Sequence, residues 1–219
     1  MNETLQSVPG ESQRAVPRRR QRVGPLVALF ESRSCERQRV DTGKFKGHLP
    51  RLAPEFYRGS AFVHWTLTVE NRATGWLTRA FHQEWRIHMV HACARYRLAC
   101  PAYVLMPDHA HLVLLGLRIE SDQRPAIEMF RRNLRLALLP AEWQRQAHDH
   151  LLHSDERKQD AFAKIAHYIF DNPVRARLVR SCIDYPYLGC SVPGYPELDV
   201  RTADYWERFW RIYNHLVNS

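Results

Sequence analysis

The clearest pattern along the chain is the two-residue alternation in "AFVHWTLTVE". Val63, Trp65, Leu67 and Val69 fall on one face, and Phe62, His64, Thr66 and Thr68 on the other. Such alternation predicts a half-buried strand. The period then changes: in "WLTRAFHQEWRIHMVHACARYRLA" the positions Leu77, Phe81, Trp85, His88, Met89, Ala92 and Tyr96 recur at helical spacing. "AYVLM" and "HLVLLGL" are apolar runs of β type split by Pro107-Asp108, a hairpin signal. "PAIEMFRRNLRLALL" predicts a second helix, with Ile127, Phe130, Leu134 and Leu138 inward and Arg131, Arg132 and Arg135 outward. A short fourth strand is expected near "HDHLL". A third helix follows over "ERKQDAFAKIAHYIFDN", where Pro173 should end it. "RTADYWERFWRIYNHLV" reads as a C-terminal amphipathic helix bearing Trp206, Phe209, Trp210 and Tyr213, more readily packed on the core than stacked on bases.

The order β-α-β-β-α-β places the chain in the α+β class. It is the split βαβ pattern of a ferredoxin-like fold, a mainly antiparallel sheet with helices on one face. Two more helices follow, one bearing Tyr168 and one at the C-terminus. Three segments are expected: a flexible basic arm over residues 1–50, a domain over 51–190 and a C-terminal extension over 191–219. The arm is broken by Pro and Gly and carries Arg14, Arg18, Arg19, Arg20 and Arg22. Within it "GPLVALFE" fits a short helix or a short strand equally.

Charge changes the picture of partners. Lys plus Arg number 32 against 23 Asp plus Glu, a formal net charge of +9, which favours a polyanion such as nucleic acid without requiring one. Cys35, Cys93, Cys100, Cys182 and Cys190 form no CxxC pair, and read as reduced thiols of a cytosolic protein. Neither a long apolar run nor an N-terminal apolar stretch is present, so the expectation is a cytoplasmic protein with no membrane partner.

The candidate chemistry lies in "YVLMPDHAHLVLLG". Residues i and i+2 of a strand share a face, so His109 and His111 present their imidazoles side by side on the open face of the sheet. Ala110, Leu112 and Leu114 then point to the helices. Two neutral imidazoles at that spacing can chelate a divalent ion; a pair of polar residues at a hairpin edge is the plainer reading of a bare HxH. On the third helix Tyr168 and Asn172 are four apart and share a face. An amide oxygen can serve as a third ligand and a phenol as a nucleophile. Tyr168 also fits a core aromatic, three residues from Ile165.

These residues carry a resemblance. "MPDHAHLVLLG" looks like the HUH motif (His, hydrophobic residue, His) of single-tyrosine transposases. "HYIFDNPVRARLV" followed by "DYPYLGCS" resembles the tyrosine-helix region of the REP-associated tyrosine transposases. "EWQRQAHDHLLHSDE" is similar to the segment leading into that helix. The match spans about residues 50 to 190, with three separated motifs in the expected order. It implies a ferredoxin-like core that cuts single-stranded DNA by attack of a tyrosine on phosphorus, leaving a 5′-phosphotyrosyl link and a free 3′-hydroxyl. Carried over, Tyr168 is the nucleophile, His109 and His111 bind Mg²⁺ or Mn²⁺, and Asn172 is the third ligand by position. Arg175 and Arg177 are the first candidates for holding phosphates, with Arg131, Arg132 and Arg135 next. The resemblance also implies a single-stranded target at a repeated palindromic hairpin, a nucleoid-associated location, and action as a monomer or homodimer. Two other readings stand beside it: a domesticated hairpin-binding protein that does not cut, and an unrelated β-rich metal-binding protein.

Overall fold

The structure is a computed structural model and describes residues 53–151 and 159–219. The expected basic arm, Cys35 and most of the "LLHSDERK" stretch lie outside the described residues. The elements follow the sequence pattern in order: β1 (Phe62–Thr68), α1 (Arg79–Tyr96), β2 (Leu98–Met106), β3 (His109–Gly116), α2 (Gln123–Leu138), β4 (His148–Leu151), α3 (Gln159–Arg175), β5 (Leu188–Ser191) and α4 (Tyr205–Asn218). The five strands form one sheet in the order β4-β1-β3-β2-β5, and every neighbouring pair is antiparallel. The α+β, ferredoxin-like reading holds for the first four strands and their two helices. β5 is an addition that the pattern did not predict, zipped onto the free edge of β2.

Alternation decides which residues meet which helices. On one face Val63, Trp65, Leu67, Leu105, Ala110, Leu112 and Leu114 pack against Phe81, Trp85 and Met89 of α1 and Ile127, Phe130, Leu134 and Leu138 of α2. The other face is not open, as the sequence reading had it. There Phe62, Val104, Met106, Val113 and Leu115 pack against Phe162, Ala166, Ile169 and Phe170 of α3 and Tyr205 and Phe209 of α4. The sheet has apolar side chains on both faces and needs a second layer of cover, which the two later helices supply. The aromatic stripe of α4 is accordingly core: Phe162 meets Trp206 edge-on at 5.3 Å and Trp210 at 4.9 Å between ring centroids.

Helix ends follow local chemistry. The Thr78 hydroxyl caps α1 by accepting from Phe81 N, and the Asp122 carboxylate caps α2 by accepting from Arg124 N. α3 departs from expectation, because it runs through Pro173 to Arg175. Pro173 has no N–H to give to the carbonyl of Ile169. The side-chain amide of Asn172 reaches that carbonyl at 3.4 Å while bonding the Tyr168 carbonyl at 2.7 Å, so the break is mended from within the helix.

Gln123 locks α2 to the sheet. Wholly buried, it accepts from Trp65 Nε1 at 3.0 Å and donates to the carbonyls of Ala61 and Leu114 at 2.8 and 3.2 Å. Gln123→Leu leaves the Trp65 N–H buried without an acceptor, so urea unfolding should show a loss of about 1–3 kcal/mol. An unchanged midpoint would mean that the bond network contributes nothing net.

Candidate active site

Register brings the site together. Thr66 of β1 lies opposite His111 of β3, Thr68 opposite His109, and His64 opposite Val113, so all these side chains share the face covered by α3 and α4. On the other side of β1, His64 pairs with His150 of β4. His109 and His111 meet with their Nε2 atoms 3.1 Å apart. His109 Nδ1 lies 2.6 Å from Asp108 Oδ1; a carboxylate only accepts there, so the ring donates its Nδ1–H and keeps a lone pair on Nε2. His111 Nδ1 lies 3.0 Å from Thr66 Oγ1 and 3.2 Å from His64 Nε2. With Nδ1–H given to that pair, His111 too turns an Nε2 lone pair inward.

Burial keeps the His111 and His64 rings neutral. It pushes the His111 imidazole down to about 3, with further lowering from His64, His109 and Arg72. His64 is pushed down to about 4, by burial first and then by His150. Partial burial raises the Asp108 carboxyl, but the bonds and charges of His109 and Arg72 outweigh it and hold the group below its ordinary value. Neutral imidazoles are the ligating form. Two opposed lone pairs about 3 Å apart repel unless a cation lies between them, and the edge between adjacent ligands of an octahedron with ~2.1 Å bonds is about 3.0 Å. The pair is therefore fit to hold a divalent cation. Among the described residues no group of three or more His, Cys, Asp or Glu side chains converges on a metal-sized site.

Tyr168 comes from α3 and stands beside the pair. Its ring centroid is 5.7 Å from that of His111 and 6.2 Å from that of His64, and the residue remains 40% exposed. A core aromatic would be covered. The Arg175 guanidinium lies 5.0 Å from the centre of the Tyr168 ring, a cation–π distance. Asn172, one turn along, commits its amide nitrogen to the helix carbonyls, so Oδ1 is the atom left for anything outside the helix. Arg177 occupies the left-handed region at φ 58, and Leu178 N bonds back to Pro173 O while Arg177 N bonds to Val174 O. That is a Schellman ending with arginine where glycine is usual.

The remaining arginine candidates lie elsewhere. α2 packs on the opposite face of the sheet, so Arg131, Arg132 and Arg135 are not brought to the tyrosine. Arg131 donates to the carbonyls of Gln144 and Arg145, joining α2 to the loop before β4. The sequence reading missed His64, Thr66, Asp108 and Arg72 as members of the site. Alternation had already put His64 and Thr66 on the right face; only the register with β3 reveals their partner.

The chain is 27% identical over 150 residues to the Haemophilus influenzae protein named "Putative REP-associated tyrosine transposase", a match covering 61% of this chain and 81% of that one. Its fold resembles the solved structure of a REP-associated tyrosine transposase bound to a REP hairpin, with a TM-score of 0.55 and 20% identity over 65% of this chain and 81% of that one. Both similarities are to REP-associated tyrosine transposases. No protein-family model matches the chain. Among the described residues no helix is long and apolar enough to cross a membrane.

Two measurements test this site. Unfolded imidazoles take up protons near pH 6.5, whereas folded His64 and His111 resist protonation until about 4 and 3. Stability should thus be full above pH 6.5 and fall as pH drops toward 4, by up to ~1.4 kcal/mol per unit for each ring. Urea unfolding with a chelator present reads this slope, and His64→Asn should flatten it; a slope unaltered in the variant would place His64 in water. Separately, Arg177→Gly should relieve left-handed strain and stabilise the chain by about 1 kcal/mol. A destabilised glycine variant would show that the arginine side chain holds the helix end.

Proposed function

We propose that this protein is a metal-dependent single-stranded DNA transposase or nickase that cuts and rejoins strands at hairpin-forming repeats through a 5′-phosphotyrosine intermediate. One observation carries the reading: an exposed tyrosine ring is held 5.7 Å from a buried, neutral histidine whose Nε2 faces that of a second histidine. The relatives named above supply the substrate class. One of them is bound to a REP hairpin, and a hairpin with a single-stranded flank is the partner we assign to this chain.

In the proposed reaction Tyr168 Oη attacks the scissile phosphorus in line. The bond from phosphorus to the 3′ oxygen breaks, and that oxygen leaves with a proton as a free 3′-hydroxyl. The phosphotyrosyl bond conserves the energy of the broken one, so a 3′-hydroxyl can reverse the step with no nucleotide cofactor. Mg²⁺ or Mn²⁺ held by His109, His111 and Asn172 Oδ1 would draw charge from the non-bridging phosphate oxygens. The chain's own residues do the rest. Asp108, Thr66 and His64 hold the imidazoles in the ligating tautomer. α3 sets the nucleophile and the Asn172 amide one turn apart. Arg175 and Arg177 extend that helix end toward the phosphates of the bound strand.

A labelled hairpin oligonucleotide with a single-stranded flank, incubated with the protein and Mn²⁺, should give a covalent adduct on a denaturing gel. Tyr168→Phe should bind the hairpin and give none, and His109→Ala should lose the adduct with its thermal midpoint retained. Binding without adduct in the parent protein would replace this reading by that of a hairpin binder. Arg175→Ala should weaken binding and reduce the slope of log affinity against log salt by about 1. An unchanged slope would take Arg175 off the phosphate path.

A further inference from the structure

Asp108 occupies the tight turn between β2 and β3, and every oxygen it carries is engaged. Oδ1 accepts from His109 Nδ1 at 2.6 Å, Oδ2 accepts from Arg72 Nη1 at 2.9 Å, and its backbone carbonyl accepts from Val69 N at 3.0 Å. Arg72 belongs to the short 3₁₀ turn Glu70–Arg72 that follows β1. Asn71 and Arg72 both adopt φ 54, two successive non-glycine residues in the left-handed region. Such strain persists only where surrounding contacts over-determine it. Here those contacts include Glu70 N to Glu142 O at 2.7 Å and the ion pair to Asp108.

A staple between two loops would need only the arginine and the carboxylate. This carboxylate is divided instead, one oxygen on the arginine and one on the ring of a candidate ligand. His109 is held from one side alone: its other nitrogen faces His111. An imidazole with a free choice in water favours the proton on Nε2, which would close the nitrogen that faces the site.

We propose that Asp108, itself oriented by Arg72, is a positioning residue that fixes His109 as the Nδ1–H tautomer and presents its Nε2 lone pair to His111. The turn after β1 thereby sets how well the pair can hold a cation; this consequence rests on the ligand reading of the two histidines given above, whereas the tautomer does not. Outer partners of ligating histidines typically change metal affinity by about 10–100-fold.

Long-range ¹H–¹⁵N spectra of the imidazoles in the metal-free, full-length protein read the tautomer directly. His109 should appear as Nδ1–H in the parent, shift toward Nε2–H in Asp108→Ala, and return to Nδ1–H in Asp108→Asn, whose amide oxygen still accepts. Arg72→Ala should shift the population part of the way. Titration with Mn²⁺, followed by the paramagnetic signal of the free ion, should weaken about 10–100-fold in Asp108→Ala and less in Asp108→Asn. His109 remaining Nδ1–H in Asp108→Ala would overturn the clamp, and Asp108→Asn or Arg72→Ala serves where that variant does not fold. Mn²⁺ binding equal in the parent and in His109→Ala would instead sink the ligand reading, with the clamp judged on the tautomer alone.

Discussion

Two imidazole nitrogens face each other at 3.1 Å. Asp108 draws the His109 proton to the far side of its ring, and Thr66 with His64 offers the His111 Nδ1 partners that can do the same. Protonating either ring would relieve the opposition, but burial under the second helix layer makes a charged His111 expensive. Most of the architecture around the site serves this confrontation. β1 must pair with β3 in a register that sets Thr66 against His111, since a slip by one residue would bring Trp65 to that place and turn the polar row into the core. α3 must cover the same face, or the rings would be hydrated and ordinary.

That covering layer explains how a tyrosine on α3 can be both near the histidines and accessible. Phe162, Ala166, Ile169 and Phe170 bury the helix against the sheet, while Tyr168 lies at the rim with its ring against His111 and its edge in water. Fixing the apolar side of the helix fixes the tyrosine without burying it. The mended proline adds to the same end. Because Asn172 supplies the hydrogen that Pro173 lacks, the helix carries on for the residues that bring Arg175 over the tyrosine ring.

Much of this was legible in the sequence. Alternation over residues 62–69 sorted the two faces correctly, helical spacing located α1 and α2, and HxH together with a Tyr and an Asn four apart named the side chains that the fold brings near one another or onto one helix. The rest depends on contacts between distant segments. Nothing in an amphipathic helix says which sheet face it will cover, so the site face was expected to be open. "LGCS" is too short and too small to announce a strand, and becomes one only because the edge of β2 is available to pair with it. The general rule for proline failed at Pro173 because its neighbour's side chain compensated. Arg72 could not be read at all: its role depends on an ion pair across 36 residues of chain and on a left-handed turn with no glycine to mark it.

The arginines teach a similar lesson about charge. Composition gave a basic chain, and helical spacing put Arg131, Arg132 and Arg135 on an outward face, which made them the next candidates after Arg175 and Arg177 for phosphate contact. The sheet now stands between the two groups. Arg131 is bound to loop carbonyls, whereas Arg175 and Arg177 sit at the C-terminal end of α3, where the helix dipole favours positive charge whether or not DNA is bound. Their charge therefore stabilises the helix that carries the tyrosine and, under the proposed function, also lies on the path of the strand to be cut. A single substitution there perturbs both effects. Salt separates them: a phosphate contact adds a counterion term to binding, while the dipole contribution belongs to folding and is measured without DNA.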